Sequence, residues 1–192
     1  LKILNNEISV VFYDVTTLYF EIDQEDELRK TGFSKEGKHQ NPQIVLGLLV
    51  SKNGYPLAYE IFEGNKFEGH TMLPVVDAFK IKYNLDKLVI IADSGLLSRS
   101  NVEELQEKGY EFILGARIKN ETNSIKEKIL ALDLNNGESA VIKKGTLKLI
   151  ITYSDDRAKK DRYNREKGLR RLEKNIRRGK LTKASINNRG YN

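Results

Sequence analysis

The sequence has no cysteine, which excludes disulfides and thiolate metal sites and fits a reducing, intracellular compartment. No apolar run approaches the roughly 20 residues needed to span a bilayer. No basic segment followed by a short apolar one opens the chain, so a soluble, cytoplasmic protein is expected. Histidine is scarce: His39 and His70 lack a second ligand at helical or loop spacing, which argues against zinc. There is neither an internal repeat nor a low-complexity tract.

What is present is one charge asymmetry and two well-placed acids. Over residues 1 to 156 the chain carries 19 Lys+Arg against 24 Asp+Glu, a net of −5. The last 36 positions carry 14 against 3, a net of +11. That end suits a polyanion, although a solvated helix explains the same composition. At 192 residues and 39% hydrophobic the chain is long enough for one α/β domain with a core and a small appended piece. Leu1 at the start and the uncapped Arg189-Gly190-Tyr191-Asn192 end lead to the expectation that both termini are cut.

The pattern alternates strands and helices. EISVVFYD (7 to 14) and a second run over 17 to 23 are β-rich and predict a hairpin or a bent pair of strands joined at Val15-Thr16, with Asp14 at the join. Residues 24 to 43 are charged and Gly-containing, an exposed loop. IVLGLLV (44 to 50) reads as a buried strand, Lys52-Asn53-Gly54 as a tight turn, and PLAYEIFEG as the returning strand. On that strand Leu57, Tyr59 and Ile61 are expected to face inward, leaving Glu60 in solvent and Glu63 a remote metal-ligand candidate. Thr71 is the expected N-cap of a helix to about Tyr83 with Pro74 in its first turn. KLVIIAD (87 to 93) predicts a strand buried on both faces, Ser98 to Lys108 a helix with Val102 and Leu105 inward and ended by Gly109, and YEFILGA another strand. A strand, helix, strand order implies a parallel pair, hence a mixed sheet. Farther on, a short helix near Ile125 to Leu132 and two strand-like runs around Lys144-Gly145 suggest a separate β element. Residues 157 to about 180 are helical by propensity, with Leu169, Leu172 and Ile176 as a thin apolar stripe.

Asp14 closes VVFYD and Asp93 closes KLVIIAD. A carboxylate at the end of an apolar strand reaches the rim of a sheet, where solvent, substrate and metal have access. The element order is that of a ribonuclease-H-like domain, in which the first and fourth strands are neighbours and these two acids, 79 positions apart, converge. Mg²⁺ prefers oxygen ligands and takes one or two carboxylates plus water and phosphate. Two such ions about 3.5 to 4 Å apart suit phosphodiester chemistry. An isolated strand-end aspartate is otherwise an ordinary turn or capping residue.

Three stretches, YDVTTLYFE (Tyr13 to Glu21), GFSKEGKHQNPQIVLGLLVSKNGYPLAYEIFEGN (Gly32 to Asn65) and IIADSGLLS (Ile90 to Ser98), resemble the DDE transposases of bacterial insertion sequences. The similar branch has a β-strand insertion in its ribonuclease-H-like core. The resemblance covers residues 8 to 119 and extends loosely through RAKKDRYNREK. It implies that Asp14 and Asp93 are the first and second metal-binding acids, with Mg²⁺ or Mn²⁺ as cofactor. The family's third acid is a glutamate within Tyr-x2-Arg-x3-Glu-x6-Lys. Arg162-Tyr163-Asn164-Arg165-Glu166-Lys167 holds the letters without the spacing, so the role is not carried onto Glu166.

The resemblance further implies three segments: a partial catalytic core (1–119), the start of the insertion (120–156) and a basic helical segment (157–192), with the chain ending before the catalytic helix. The implied partner is double-stranded DNA, at transposon ends and at the target, and the intact protein is expected to pair as a homodimer. Lys35 and Lys38 in the loop, and Arg162, Arg165, Arg170 and Arg171 near the C-terminus, are candidates for phosphate contact. Alternatives are a non-catalytic DNA-binding remnant and another ribonuclease-H-like nuclease such as a resolvase.

Overall fold

In a computed structural model, residues 8–34, 36–85 and 87–179 are described. The chain divides into two units, Leu1–Ile118 and Lys119–Asn192.

The first unit is built on a five-stranded sheet. Strand β1 runs unbroken over Val10–Tyr19, and its ladder with β2 (Gln43–Ser51) is continuous from Val11↔Ser51 to Tyr19↔Gln43. The expected break at Val15-Thr16 does not occur, and Asp14 lies inside the strand. Val15, Thr16 and Thr17 are β-branched and pack well on a pleated surface, so nothing at that point turns the chain.

A tight turn joins β2 to β3 (Pro56–Glu63), with Gly54 at φ +81 and its amide donating to the Ser51 carbonyl at 2.9 Å. The β2–β3 ladder slips between Leu49 and Val50, which pair with Ala58 and Pro56. Leu57 is the extra residue of a bulge, and one extra residue exchanges the two faces of everything beyond it. Ala58 and Phe62 consequently pack toward the core while Tyr59, 67% exposed, and Ile61 face solvent. This reverses the expected inward set of Leu57, Tyr59 and Ile61 except at Leu57, which is half-buried.

Helix α1 (Met72–Tyr83) follows. Thr71 precedes it but does not cap it: its backbone is helical (φ −98, ψ −27), and its hydroxyl donates to the Glu68 carbonyl at 2.7 Å. A 3-10 turn over Glu68–His70 leads straight into the helix, so Thr71 lacks the extended backbone an N-cap needs. Asn84 in the left-handed region (φ 48) ends α1. Then come β4 (Val89–Ala92), α2 (Arg99–Glu107) and β5 (Glu111–Leu114). Ser98 caps α2 by accepting the Asn101 amide at 3.1 Å. The buried Asn101 side chain donates to the Gly69 and Leu96 carbonyls at 2.7 and 2.8 Å, tying α2 to the turn before α1.

Strand order is β3-β2-β1-β4-β5. The β1–β2 and β2–β3 pairs are antiparallel, whereas β1–β4 and β4–β5 are parallel. The sheet is mixed, as expected, with the first and fourth strands as neighbours. Its buried side carries Val11, Tyr13 and Leu49, with Met72, Val76 and Phe79 of α1 and Leu105 of α2 in the same core. On the other side Phe12, Leu18 and Ile113 remain exposed.

The second unit holds helix α3 (Asn123–Leu130), the hairpin β6 (Ser139–Lys144) and β7 (Leu147–Thr152), and helix α4 (Asp155–Arg177). Ile142, Leu149 and Ile151 form a small core with Ile125, Ile129, Leu132 and Leu134. Ser154 caps α4, and Asp155 and Asp156 in its first turn suit the positive end of the helix dipole. No residue of α4 is buried, so Leu169 and Ile176 of the apolar stripe are solvent-facing. Among the described residues no helix is long and apolar enough to cross a membrane.

Candidate functional site

Asp14 alternates with Phe12 and Leu18 on the exposed side of β1, and the strand beside it ends at its level. The parallel ladder between β1 and β4 begins at Val10↔Val89 and its last rung is Tyr13↔Ala92. The residues immediately after that rung are Asp14 and Asp93. Neighbouring strands lie about 4.8 Å apart, so the register puts the two acids side by side at the C-terminal end of the short strand. β1 continues to Tyr19 along β2 alone, and β4 stops at Ala92. What ends at Asp14 is its partnership with β4, not the strand.

Both aspartates are exposed. Oδ1 of Asp14 accepts the Val15 amide at 2.8 Å, and Oδ1 of Asp93 accepts the Gly95 amide at 2.7 Å. Among the described residues neither carboxylate has a cationic partner, and the second oxygen of each is free of protein hydrogen bonds. Such anionic oxygens fit a hard divalent cation. The set is a pair, however: among the described residues no three His, Cys, Asp or Glu side chains come together to hold a metal ion. Glu166, on α4 in the other unit, is exposed and lies 3.9 Å from Arg170. Glu63 is engaged with Lys30 at 2.7 Å, and His70 is exposed with its ring edge-on to Phe67.

Below Asp14 the rung is anchored by Tyr13, 2% exposed. Among the described residues its hydroxyl makes no hydrogen bond of good geometry, although the Thr71 hydroxyl lies near enough to interact. Burial, partly offset by Thr71 and reinforced by the charges of Asp14 and Glu60, pushes its pKa up to about 12. Beside Asp93, Arg117 donates from Nε to the Ser94 carbonyl at 2.9 Å. Nothing in the sequence marks Arg117 beyond its being a cation shortly after the strand that neighbours β4.

The candidate phosphate contacts belong to both units. Lys35 lies outside the described residues. Lys38 is exposed, 3.5 Å from the Glu36 carboxylate and 5.0 Å above the Tyr19 ring. Its loop is ordered around buried Ser34, whose Oγ accepts the Glu36 and Lys38 amides and meets the Tyr19 hydroxyl at 2.9 Å. Arg162, Arg165, Arg170 and Arg171 are all exposed on α4. At 3.6 residues per turn the first three fall within an arc of about 140°, while Arg171 projects from the side opposite Arg162.

Residues 5–188 match the model of a family described as "Transposase DDE domain". No curated protein matches the chain. Among solved structures it is similar to the piggyBac transposase in a synaptic complex with hairpin DNA, at 12% identity and a TM-score of 0.47, over 77% of this chain and 31% of that one. It is also similar to the Mos1 transposase in a paired-end complex with the left transposon end, at 12% identity and a TM-score of 0.39, over 65% of this chain and 48% of that one. The chain therefore spans less than half the length of either.

Proposed function

This chain belongs to the transposase DDE domain family, and on that premise we propose that it forms the acidic core of a DNA transposase. The reaction is hydrolysis of a phosphodiester at a transposon end, followed by attack of the exposed 3′ hydroxyl on target DNA. The observation that carries this reading is the shared position of Asp14 and Asp93 after the Tyr13↔Ala92 rung. Divalent cations, Mg²⁺ or Mn²⁺, supply activation of the attacking oxygen and neutralisation of charge at the phosphate.

Asp14 and Asp93 are the residues that hold them. Each has one oxygen fixed by a backbone amide and the other open, so the carboxylates are oriented without being occupied. Water is the nucleophile in the first step and a DNA hydroxyl in the second, and no side chain of this chain forms a covalent intermediate. Lys38 and Lys35 in the loop and the arginines of α4 meet backbone phosphates, a contact that positions DNA without reading its sequence. The compartment is the bacterial cytoplasm, where the protein associates with DNA, and in the intact protein two copies act together.

A second reading, DNA binding without cleavage, is favoured by one observation: no third acid joins the pair among the described residues. Calorimetric titration with Mn²⁺ followed by incubation with transposon-end duplexes separates the two. Under the enzymatic reading the chain binds Mn²⁺, Asp14→Asn and Asp93→Asn each abolish that binding with thermal unfolding at low metal nearly unchanged, and nicked DNA appears. Metal binding that is indifferent to both substitutions removes the site. Metal and DNA binding without any nicking leaves the second reading.

A further inference from the structure

The turn after Asp93 is held from outside by one side chain. Within the turn, the Gly95 amide donates to Asp93 Oδ1 at 2.7 Å and the Leu96 amide to the Asp93 carbonyl at 3.4 Å. The two carbonyls in between are those of Ser94 and Gly95. Arg117 takes both, from Nε at 2.9 Å and from Nη2 at 3.4 Å. A guanidinium presents its donors in a rigid fork, so it fixes two successive peptide groups together, and one of those peptides carries the amide that orients the Asp93 carboxylate.

Arg117 is itself placed by the sheet. The Gly115 amide donates to the Ala92 carbonyl at 3.0 Å, one step beyond the last β4–β5 rung, Ala92↔Leu114. The backbones there approach so closely that a Cβ on Gly115 would lie 2.7 Å from the Ser94 nitrogen and 3.2 Å from the Asp93 carbonyl carbon. The chain thus closes a circuit from Asp93 through its turn to Arg117, back through Gly115 to Ala92. Among the described residues Arg117 makes no ion pair. Its charge is spent on carbonyl oxygens rather than on Asp93, which leaves the carboxylate open to a cation instead of competing for it.

We propose that Arg117 is a positioning residue for Asp93, setting the carboxylate through the Ser94-Gly95 peptides it clamps. This inference rests on the metal-site reading given above. It makes a prediction of unexpected sign: deleting a cation beside a metal site strengthens metal binding by electrostatics, whereas deleting a brace weakens it, and partners that orient ligands are worth about 10- to 100-fold in metal affinity.

The test uses the full chain with Arg117→Gln and Arg117→Lys, read by the Gly95 amide resonance without metal and by Mn²⁺ binding in electron paramagnetic resonance. In both variants the Gly95 amide is expected to lose its hydrogen-bonded shift and to exchange faster. Mn²⁺ is expected to bind about tenfold more weakly while the unfolding temperature moves little. Lysine keeps the charge but not the fork, so it does not rescue. An unchanged Gly95 resonance in Arg117→Gln, or Mn²⁺ binding as tight as in the parent, overturns the inference. If Mn²⁺ binding proves independent of Asp93 in an Asp93→Asn control, the metal site fails and the Gly95 resonance alone decides on the brace.

Discussion

The hydroxyl of Tyr13 occupies the space that a side chain at position 47 would need: an ideal Cβ on Gly47 falls 2.1 Å from Tyr13 Oη and 2.9 Å from its Cζ. The two residues sit on adjacent strands, with Gly47 paired to Val15, on the buried side of the sheet. Glycine is required at 47 by this close approach of a ring, not by backbone conformation. Gly47→Ala is expected to destabilise the first unit by about 1–3 kcal/mol through overpacking, measured by urea unfolding. Tyr13→Phe removes the atom closest to the clash and a buried hydroxyl that makes no well-formed hydrogen bond among the described residues, so alone it is expected to cost little at neutral pH. Added to Gly47→Ala it should recover part of the loss. Equal unfolding midpoints for Gly47→Ala and the parent would show that the ring moves aside freely.

The same tyrosine gives the fold an alkaline limit. In the unfolded chain a tyrosine titrates near pH 10, while burial holds folded Tyr13 up to about 12. Between those values the unfolded state releases its proton first, so deprotonation favours unfolding. The contribution is fully present below about pH 10 and is lost as pH rises through about 12, amounting to about 3 kcal/mol on the scale of 1.36 kcal/mol per unit. Tyr110 is shifted in the same direction by burial and by its hydrogen bond to Asp77, so both proteins should weaken at high pH. Urea midpoints from pH 8 to 12 should fall less steeply in Tyr13→Phe than in the parent. Superimposable curves would mean that the Tyr13 hydroxyl is already open to solvent.

These two residues also show what the sequence could and could not reveal. The order of strands and helices, with an acid after the first and the fourth strand, is enough to expect β1 beside β4, because that order is the one of a ribonuclease-H-like domain, whereas the strand, helix, strand run after it gives only the parallel pairing of β4 with β5. The run that closes on Asp14 gives no sign that β1 continues to Tyr19, and the exposure of Asp14 comes from its place beside Phe12 and Leu18 on the side of the sheet that nothing covers. The bulge at Leu57 left no mark in a run whose plain alternation pointed the other way, since the extra residue is defined only against Leu49 and Val50 across the ladder. Thr71 had the right residue type for a cap, and the preceding 3-10 turn overrode it. Arg117 was invisible for a simpler reason. Its partners are backbone carbonyls 22 and 23 positions away, and main-chain acceptors carry no sequence signature.

The basic helix offers a third prediction, concerning how DNA is held. Arg162, Arg165 and Arg170 share an arc of α4 and Arg171 lies opposite, so one duplex lying along the helix can meet three of the four. Each phosphate contact contributes about 0.9 to the slope of log affinity against log salt. The triple substitution Arg162→Gln, Arg165→Gln, Arg170→Gln should therefore flatten that slope by about three, and Arg171→Gln alone should leave it nearly unchanged. The loss should be the same on unrelated duplexes, because phosphate contacts carry no sequence information. Fluorescence anisotropy across a salt series makes the comparison, with circular dichroism to check that α4 survives, since Arg170 also lies within 3.9 Å of Glu166. A slope insensitive to the triple substitution, or one that depends on Arg171 as strongly as on the other three, would move the DNA-binding surface off this face of α4.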